Sequence, residues 1–245
     1  MPHQDLTDSE PPFDTVIFDC DSTLSAMEGI EALVGENEEL AELTAAAMAG
    51  TVPLEEVYGR RLDIAQPTSA DMGRVGDLYI ECALPNARSL VQALQLLGKR
   101  VVIVSGGLLP PVLQFGAWLG IDAKDIEAVD LSFDSAGHYL DYDRSSPLAR
   151  GGGKIEVLGR MLRESALGQM AFVGDGATDL EAAHLAQRFI AYGGVERREA
   201  VSSRALVHCD VPNFHALAPL LFSAAELEQL RTDHTHRTWL ADGDN

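Results

Sequence analysis

Four short segments of this sequence carry side chains suited to handling an anionic group and a hard cation. Asp19-Cys20-Asp21-Ser22-Thr23 sets two carboxylates two residues apart. On an extended backbone both point to one side, while Cys20 faces the other way, toward a core. Such a pair can supply a nucleophile, do general acid/base work or ligate a metal. Ser105-Gly106-Gly107 offers a hydroxyl and backbone N–H groups, which suit a phosphate oxygen. Lys154 follows three glycines, and Gly174-Asp175-Gly176-Ala177-Thr178-Asp179 adds two more carboxylates. Clustered carboxylates raise one another's pKa unless a cation is present, and magnesium is the economical partner. Nucleotide fingerprints fail: the 174–179 segment lacks the last glycine of G-x-G-x-x-G, and Leu148 occupies the first glycine position of a P-loop ending at Lys154.

These segments follow apolar runs. Thr15-Val16-Ile17-Phe18 reads as a buried strand emptying into the Asp19 loop. A strand over 100–104 precedes Ser105, and one over 170–173 precedes the Asp175 loop. From Met27 to Ala83 the spacing is helical, with Gly35, Gly50 and Pro67 as breaks. Helices are expected over 87–97, from Pro110-Pro111 onward, over 154–165 and through 186. A hairpin is expected within 128–142, and short strands over 189–192 and 205–207. The fold class predicted is α/β, a doubly wound parallel sheet with a helical cap inserted after the first strand. Residues 1–12 form a flexible leader, 13–25 and 86–230 the core, 26–85 the cap and 231–245 a tail. In a parallel sheet the carboxyl ends of the strands open on one edge, so Asp19, Asp21, Ser105 and Asp175 should converge on one crevice.

The 245 residues hold 18 Lys plus Arg against 38 Asp plus Glu, a net charge of −20, which disfavours nucleic acid and anionic membranes as partners. No apolar run approaches a membrane span. Three scattered cysteines suggest neither a disulfide framework nor a zinc site, and with a polar N-terminus they point to the cytoplasm. His184, His234 and His236 read as surface or packing residues, Phe115 and Trp118 as core, and Arg197-Arg198 as a solvated helix face. Nothing in the sequence reports oligomeric state.

Taken together, the four segments resemble the haloacid dehalogenase superfamily of phosphotransferases. Asp19-Cys20-Asp21-Ser22-Thr23 is similar to its D-x-D-x-T loop, Ser105 to its second-strand Ser/Thr, Lys154 to its basic residue, and Gly174 to Asp179 to its G-D-G-x-x-D loop. The resemblance spans residues 14–221. Within the superfamily the phosphoserine phosphatase branch is most similar. Glu28-Gly29-Ile30, Val104-Ser105-Gly106-Gly107, and the cap segment from Met48 through Gly50-Thr51-Val52-Pro53-Leu54 to Arg60-Arg61-Leu62 carry that likeness. The sequence departs at Leu54 and Leu108, where the branch often has Phe, and at Pro110-Pro111.

The resemblance implies Mg²⁺ as cofactor and a small-molecule phosphomonoester as partner. It makes Asp19 the nucleophile, Asp21 the general acid/base, and Ser105 and Lys154 the phosphate-binding catalytic residues. Metal ligands would be Asp19, Asp21 and Asp175, with Asp179 behind them. Substrate contacts would come from Glu28, Met48, Arg61, Ser105, Gly106 and Thr178, Glu28 taking an ammonium and Arg61 a carboxylate. Phosphohomoserine, a phosphorylated amino alcohol, or transfer to a second hydroxyl remain alternatives to phosphoserine hydrolysis.

Overall fold

A computed structural model describes residues 8–241. Its strands in chain order are β1 (Thr15–Phe18), β2 (Arg100–Leu108), β3 (Ile126–Val129), β4 (Leu131–Phe133), β5 (Tyr139–Tyr142), β6 (Met170–Gly174), β7 (Arg188–Tyr192) and β8 (Val207–Cys209). Six form one parallel sheet in the order β3-β2-β1-β6-β7-β8, while β4 and β5 pair as an antiparallel hairpin. β1 is central, and the chain winds from it first toward β2 and β3, then across to β6. That reversal places a crevice at the carboxyl end of β1. Phe18 is level with Ile103 and Val173, so Asp19, Ser105 and Asp175 all emerge just beyond the same line.

The sheet is buried on both faces, so its strands are continuously apolar. Val16, Phe18, Ile103, Val173 and Ile190 face one layer, while Ile17, Val102, Val104, Phe172 and Phe189 face the other. The cap contributes α1 (Glu38–Met48), α2 (Leu54–Ala65) and α3 (Ser69–Glu81). Asn37 caps α1, and Thr68 with Asp71 forms a capping box on α3. Next come α4 (Ala87–Leu96), α5 (Leu109–Leu119), α6 (Gly153–Glu164), α7 (Ala177–Ala182) and α8 (Glu199–Ser202). The chain closes with α9 (Ala218–Leu221), α10 (Ala224–Thr232) and α11 (Arg237–Ala241). The cap divides between the two layers. α1 and α2 pack with the α6/α7 side, whereas Val75 and Tyr79 of α3 join the layer that holds Phe115 of α5. Among the described residues no helix is long and apolar enough to cross a membrane.

Several sequence expectations need correction. Ser105-Gly106-Gly107 is the irregular end of β2, whose pairing with β3 shifts register between Val104 and Leu108. The stretch expected to be only a hairpin begins with β3, an edge strand of the main sheet. The last strand runs over 207–209 rather than 205–207. Residues 1–7 of the expected leader lie outside the described residues. Its described end is pinned, because Asp8 accepts from Arg188 Nε at 2.6 Å. The expected tail is likewise packed as far as 240: Trp239 joins the core, and its indole N–H donates to His236 Nδ1 at 3.1 Å.

Candidate active site

Past Phe18 the chain turns sharply, the N–H groups of Leu24 and Ser25 returning to the Cys20 carbonyl at 2.9 and 3.2 Å. Ser22 takes a left-handed φ of 51°, and its hydroxyl donates to Glu28 Oε1 at 2.8 Å. Asp19 is buried, with Lys154 Nζ 3.0 Å from its Oδ1. Lys154 stands on the first turn of α6 and also donates to Asp179 Oδ1 at 2.5 Å, while Asp179 Oδ2 accepts from the Gly176 N–H at 2.9 Å. Burial opposes the ammonium charge, but Asp179 and Asp19 outweigh it and hold the Lys154 pKa above its ordinary value. Asp175, at the end of β6, accepts from Thr23 Oγ1 and Arg198 Nε, both at 2.9 Å.

One ligand atom each from Asp19, Asp175 and Asp179 lies within 4.8 Å of the others. Burial and the neighbouring Asp19 push the Asp175 carboxyl up to about 6 despite Arg198. A dry cluster of three carboxylates is a hard-oxygen donor set that a divalent cation would relieve. Those residues fit magnesium.

Asp21 lines the same crevice as Asp19. Its Oδ1 accepts from Tyr79 Oη at 2.5 Å and from the Gly29 N–H at 2.8 Å. Burial, aided by the charge on Asp19, pushes Asp21 up to about 6. Gly107 stands where a Cβ would come within 2.6 Å of Asp21 Oδ2, so a side chain there would displace that oxygen. Ser105 is fully buried, and its Oγ accepts from the Gly107 N–H at 3.0 Å. Tyr58 of α2 donates to the Gly106 carbonyl at 2.9 Å.

Asp19, Asp21, Glu28, Met48, Arg61, Gly106, Lys154 and Thr178 line one cavity. Arg61 lies 3.8 Å from Glu28, and its buried Nε has no hydrogen-bond partner among the described residues. Burial and Asp21 push the Glu28 carboxyl up, with Arg61 pulling it back. Asp175 and Asp179 lie with Asp19 in the carboxylate cluster, and Ser105, which does not line the cavity itself, is tied to it through the N–H of Gly107, which does.

Arg198 corrects the sequence reading. Its side chain is 6% exposed, pairs with Asp175 and stands 3.9 Å from Glu28, whereas Arg197 is exposed beside Asp210. The loop after β7 opens on the same sheet edge as the other site loops, and that position was the available signal. Tyr58, Tyr79 and Arg150, also at the site, lie on the cap or in a loop with no local pattern to mark them.

The sequence profile of the haloacid dehalogenase-like hydrolases matches residues 16–184. The chloroplastic phosphoserine phosphatase of Arabidopsis thaliana is 35% identical over 210 residues, covering 84% of this chain and 71% of that protein. The human phosphoserine phosphatase is 34% identical over 195 residues, covering 78% and 87%. Among solved structures, a phosphoserine phosphohydrolase-like protein from Francisella tularensis superposes with a TM-score of 0.72 at 26% identity, covering 89% of this chain and 99% of that one. A substrate-bound phosphoserine phosphatase complex shares the fold with a TM-score of 0.72 at 23% identity, over 85% and 98%. With its strand-end carboxylates, its paired lysine and this profile match across most of its length, the chain belongs to the haloacid dehalogenase-like hydrolase family.

Proposed function

We propose that this chain is a magnesium-dependent phosphomonoesterase that hydrolyses O-phosphoserine to serine and phosphate through an aspartyl-phosphate on Asp19. The observation that carries the substrate is the pairing of opposite charges at the cap end of the cavity. Arg61 has a buried Nε without a partner among the described residues, and Glu28 stands 3.8 Å away, so a carboxylate and an ammonium are both provided for. The relatives named phosphoserine phosphatase support the same reading.

Asp19 attacks phosphorus in line, forming the O–P bond of the acyl phosphate as the bond to the serine oxygen breaks. Asp21 gives its proton to that departing oxygen and then takes one from the water that hydrolyses the acyl phosphate. Its raised pKa, near 6, suits both duties. Lys154, the Ser105 hydroxyl and the Gly106 N–H bind phosphate oxygens, and Lys154 shares its charge with Asp19 and Asp179. Magnesium would be held by Asp19, Asp175 and the Asp21 carbonyl, with Asp179 at the edge of the same carboxylate cluster, and would neutralise charge on the phosphate and on the carboxylates. Asp179 steadies Lys154 from behind, and Thr178 and Met48 complete the cavity wall. The three free cysteines fit a reducing cytoplasm.

Phosphate release across phosphorylated amino acids, amino alcohols and sugars tests the proposal. Phosphoserine should give the highest kcat/KM, and phosphoethanolamine, which lacks the carboxylate, should fall by a factor of about thirty or more. Equal rates on both would remove phosphoserine as the substrate.

A further inference from the structure

We propose that Tyr79 of the cap is a positioning residue for Asp21, selecting which of its two oxygens carries the proton that is passed to the leaving group. The proposal rests on the reading of Asp21 as general acid. A carboxyl group turns through a broad, nearly two-fold torsion, so an unrestrained Asp21 could present either oxygen to the ester. Here Oδ1 accepts two hydrogen bonds, from Tyr79 Oη at 2.5 Å and the Gly29 N–H at 2.8 Å. An oxygen that already accepts from two donors is the carbonyl oxygen of the protonated acid. The proton must then reside on Oδ2, which lies against Gly107 on the phosphate-binding segment.

The hydroxyl is held there by packing. Tyr79 is fully buried, its ring stacked on Phe115 at 5.6 Å and 15°, and Phe115 stacks in turn on Trp118 at 5.9 Å and 14°. Phe115 and Trp118 belong to α5, so α3 carries the tyrosine on the part of the cap that packs directly on the core. Two glycines make room for it. A Cβ at Gly29 would lie 2.2 Å from the Tyr79 oxygen, and one at Gly107 would lie 3.3 Å from it. The hydroxyl thus occupies a slot that a side chain at Gly29 would fill, and Gly107 leaves its other side uncrowded.

The test uses Tyr79→Phe, which keeps the ring and its stacking, and a series of aryl phosphates without any amino-acid head group. p-Nitrophenolate leaves readily unprotonated, whereas phenolate, being more basic, depends more on a donated proton. For Tyr79→Phe, kcat/KM should stay within about threefold of the parent on p-nitrophenyl phosphate and fall by about thirtyfold or more on phenyl phosphate. The plot of log(kcat/KM) against leaving-group pKa should therefore steepen, with KM for phosphoserine unchanged. Phe115→Leu, which loosens the ring but leaves the hydroxyl, should steepen it less. Equal losses on every ester would mean that Tyr79 only supports packing, and no loss would mean that the hydroxyl is idle; either overturns the proposal. Asp21→Asn separates the proposal from its premise. If that variant keeps the parent's slope, Asp21 is not the acid and the proposal falls with the premise. If it steepens the slope while Tyr79→Phe does not, only the role of Tyr79 is lost.

Discussion

At the phosphate end of the crevice Lys154 meets Asp19 at 3.0 Å and Asp179 at 2.5 Å, and both oxygens of Asp175 accept hydrogen bonds at 2.9 Å. At the cap end Glu28 stands 3.8 Å from Arg61 and 3.9 Å from Arg198, and Arg61 Nε is buried without a partner among the described residues. The two ends differ in how completely the protein satisfies its own charges. Groups that must hold one geometry through a reaction gain from partners that fix them in advance. A recognition site gains from leaving its hydrogen bonds to the ligand, since a buried donor without a partner rewards the molecule that supplies one.

The harshest way to break this comparison is to damage the phosphate end alone. Asp19→Asn keeps the shape but replaces the nucleophile with an amide, and turnover of phosphoserine should fall by at least about four orders of magnitude. Binding measured calorimetrically should survive, because Glu28 and Arg61 are untouched. Substantial residual turnover would remove Asp19 as nucleophile.

The complementary change opens the cap end. Arg61→Ala removes a charge-assisted partner for a carboxylate in a closed site, which should cost about 2–4 kcal/mol in kcat/KM for phosphoserine, roughly thirty- to a thousandfold. p-Nitrophenyl phosphate has no carboxylate and should be nearly unaffected. Glu28→Gln should give a similar or smaller selective loss through the ammonium. Equal losses on both esters would make these residues supports of the cap.

The phosphate end was the more legible of the two in the sequence. Thr15 to Phe18 and Met170 to Val173 are apolar runs that stop at carboxylates, and a parallel sheet turns such stops into one crevice. The cap end was reached only through resemblance, because Glu28 and Arg61 sit on segments whose docking no local periodicity encodes. Arg198 was misread for a related reason. Its neighbours Glu196, Arg197 and Glu199 are polar and look solvated, while the fold turns this one side chain inward onto Asp175. β3 was absorbed into a hairpin because it is four residues long with a half-buried middle, so neither alternation nor a continuous apolar run marks it. Tyr79 left no trace, since its partner Asp21 lies 58 positions away.

The burial of these carboxylates, and their crowding, also has a consequence for stability. Asp21 and Asp175 are pushed up to about 6, above the usual carboxylate value near 4, and Glu28 is raised as well. For a raised carboxyl the folded state binds more protons than the unfolded one between the two pKa values, so stability falls as pH rises through that window. Protein stripped of metal should therefore melt higher at pH 5 than at pH 7.5, by on the order of 5 °C. Magnesium should narrow the gap by stabilising the ionised cluster at the higher pH. A metal-free protein that melts higher at pH 7.5 would contradict the raised values.

The smallest effect is expected at Tyr58, where the cap touches the phosphate end without touching the head group. Its hydroxyl donates to the Gly106 carbonyl at 2.9 Å and holds the Ser105-Gly106-Gly107 backbone from across the cavity. Tyr58→Phe keeps the ring and removes one hydrogen bond, worth about 1 kcal/mol, so the melting temperature should drop by about 2–4 °C. Because that backbone serves the phosphate, which every ester carries, kcat/KM should fall by only about two- to fivefold and by the same factor for phosphoserine and p-nitrophenyl phosphate. The contrast with Arg61→Ala is then in pattern as well as size. A loss confined to phosphoserine would instead place Tyr58 with the recognition residues, and the division between the two ends would have to be redrawn along α2.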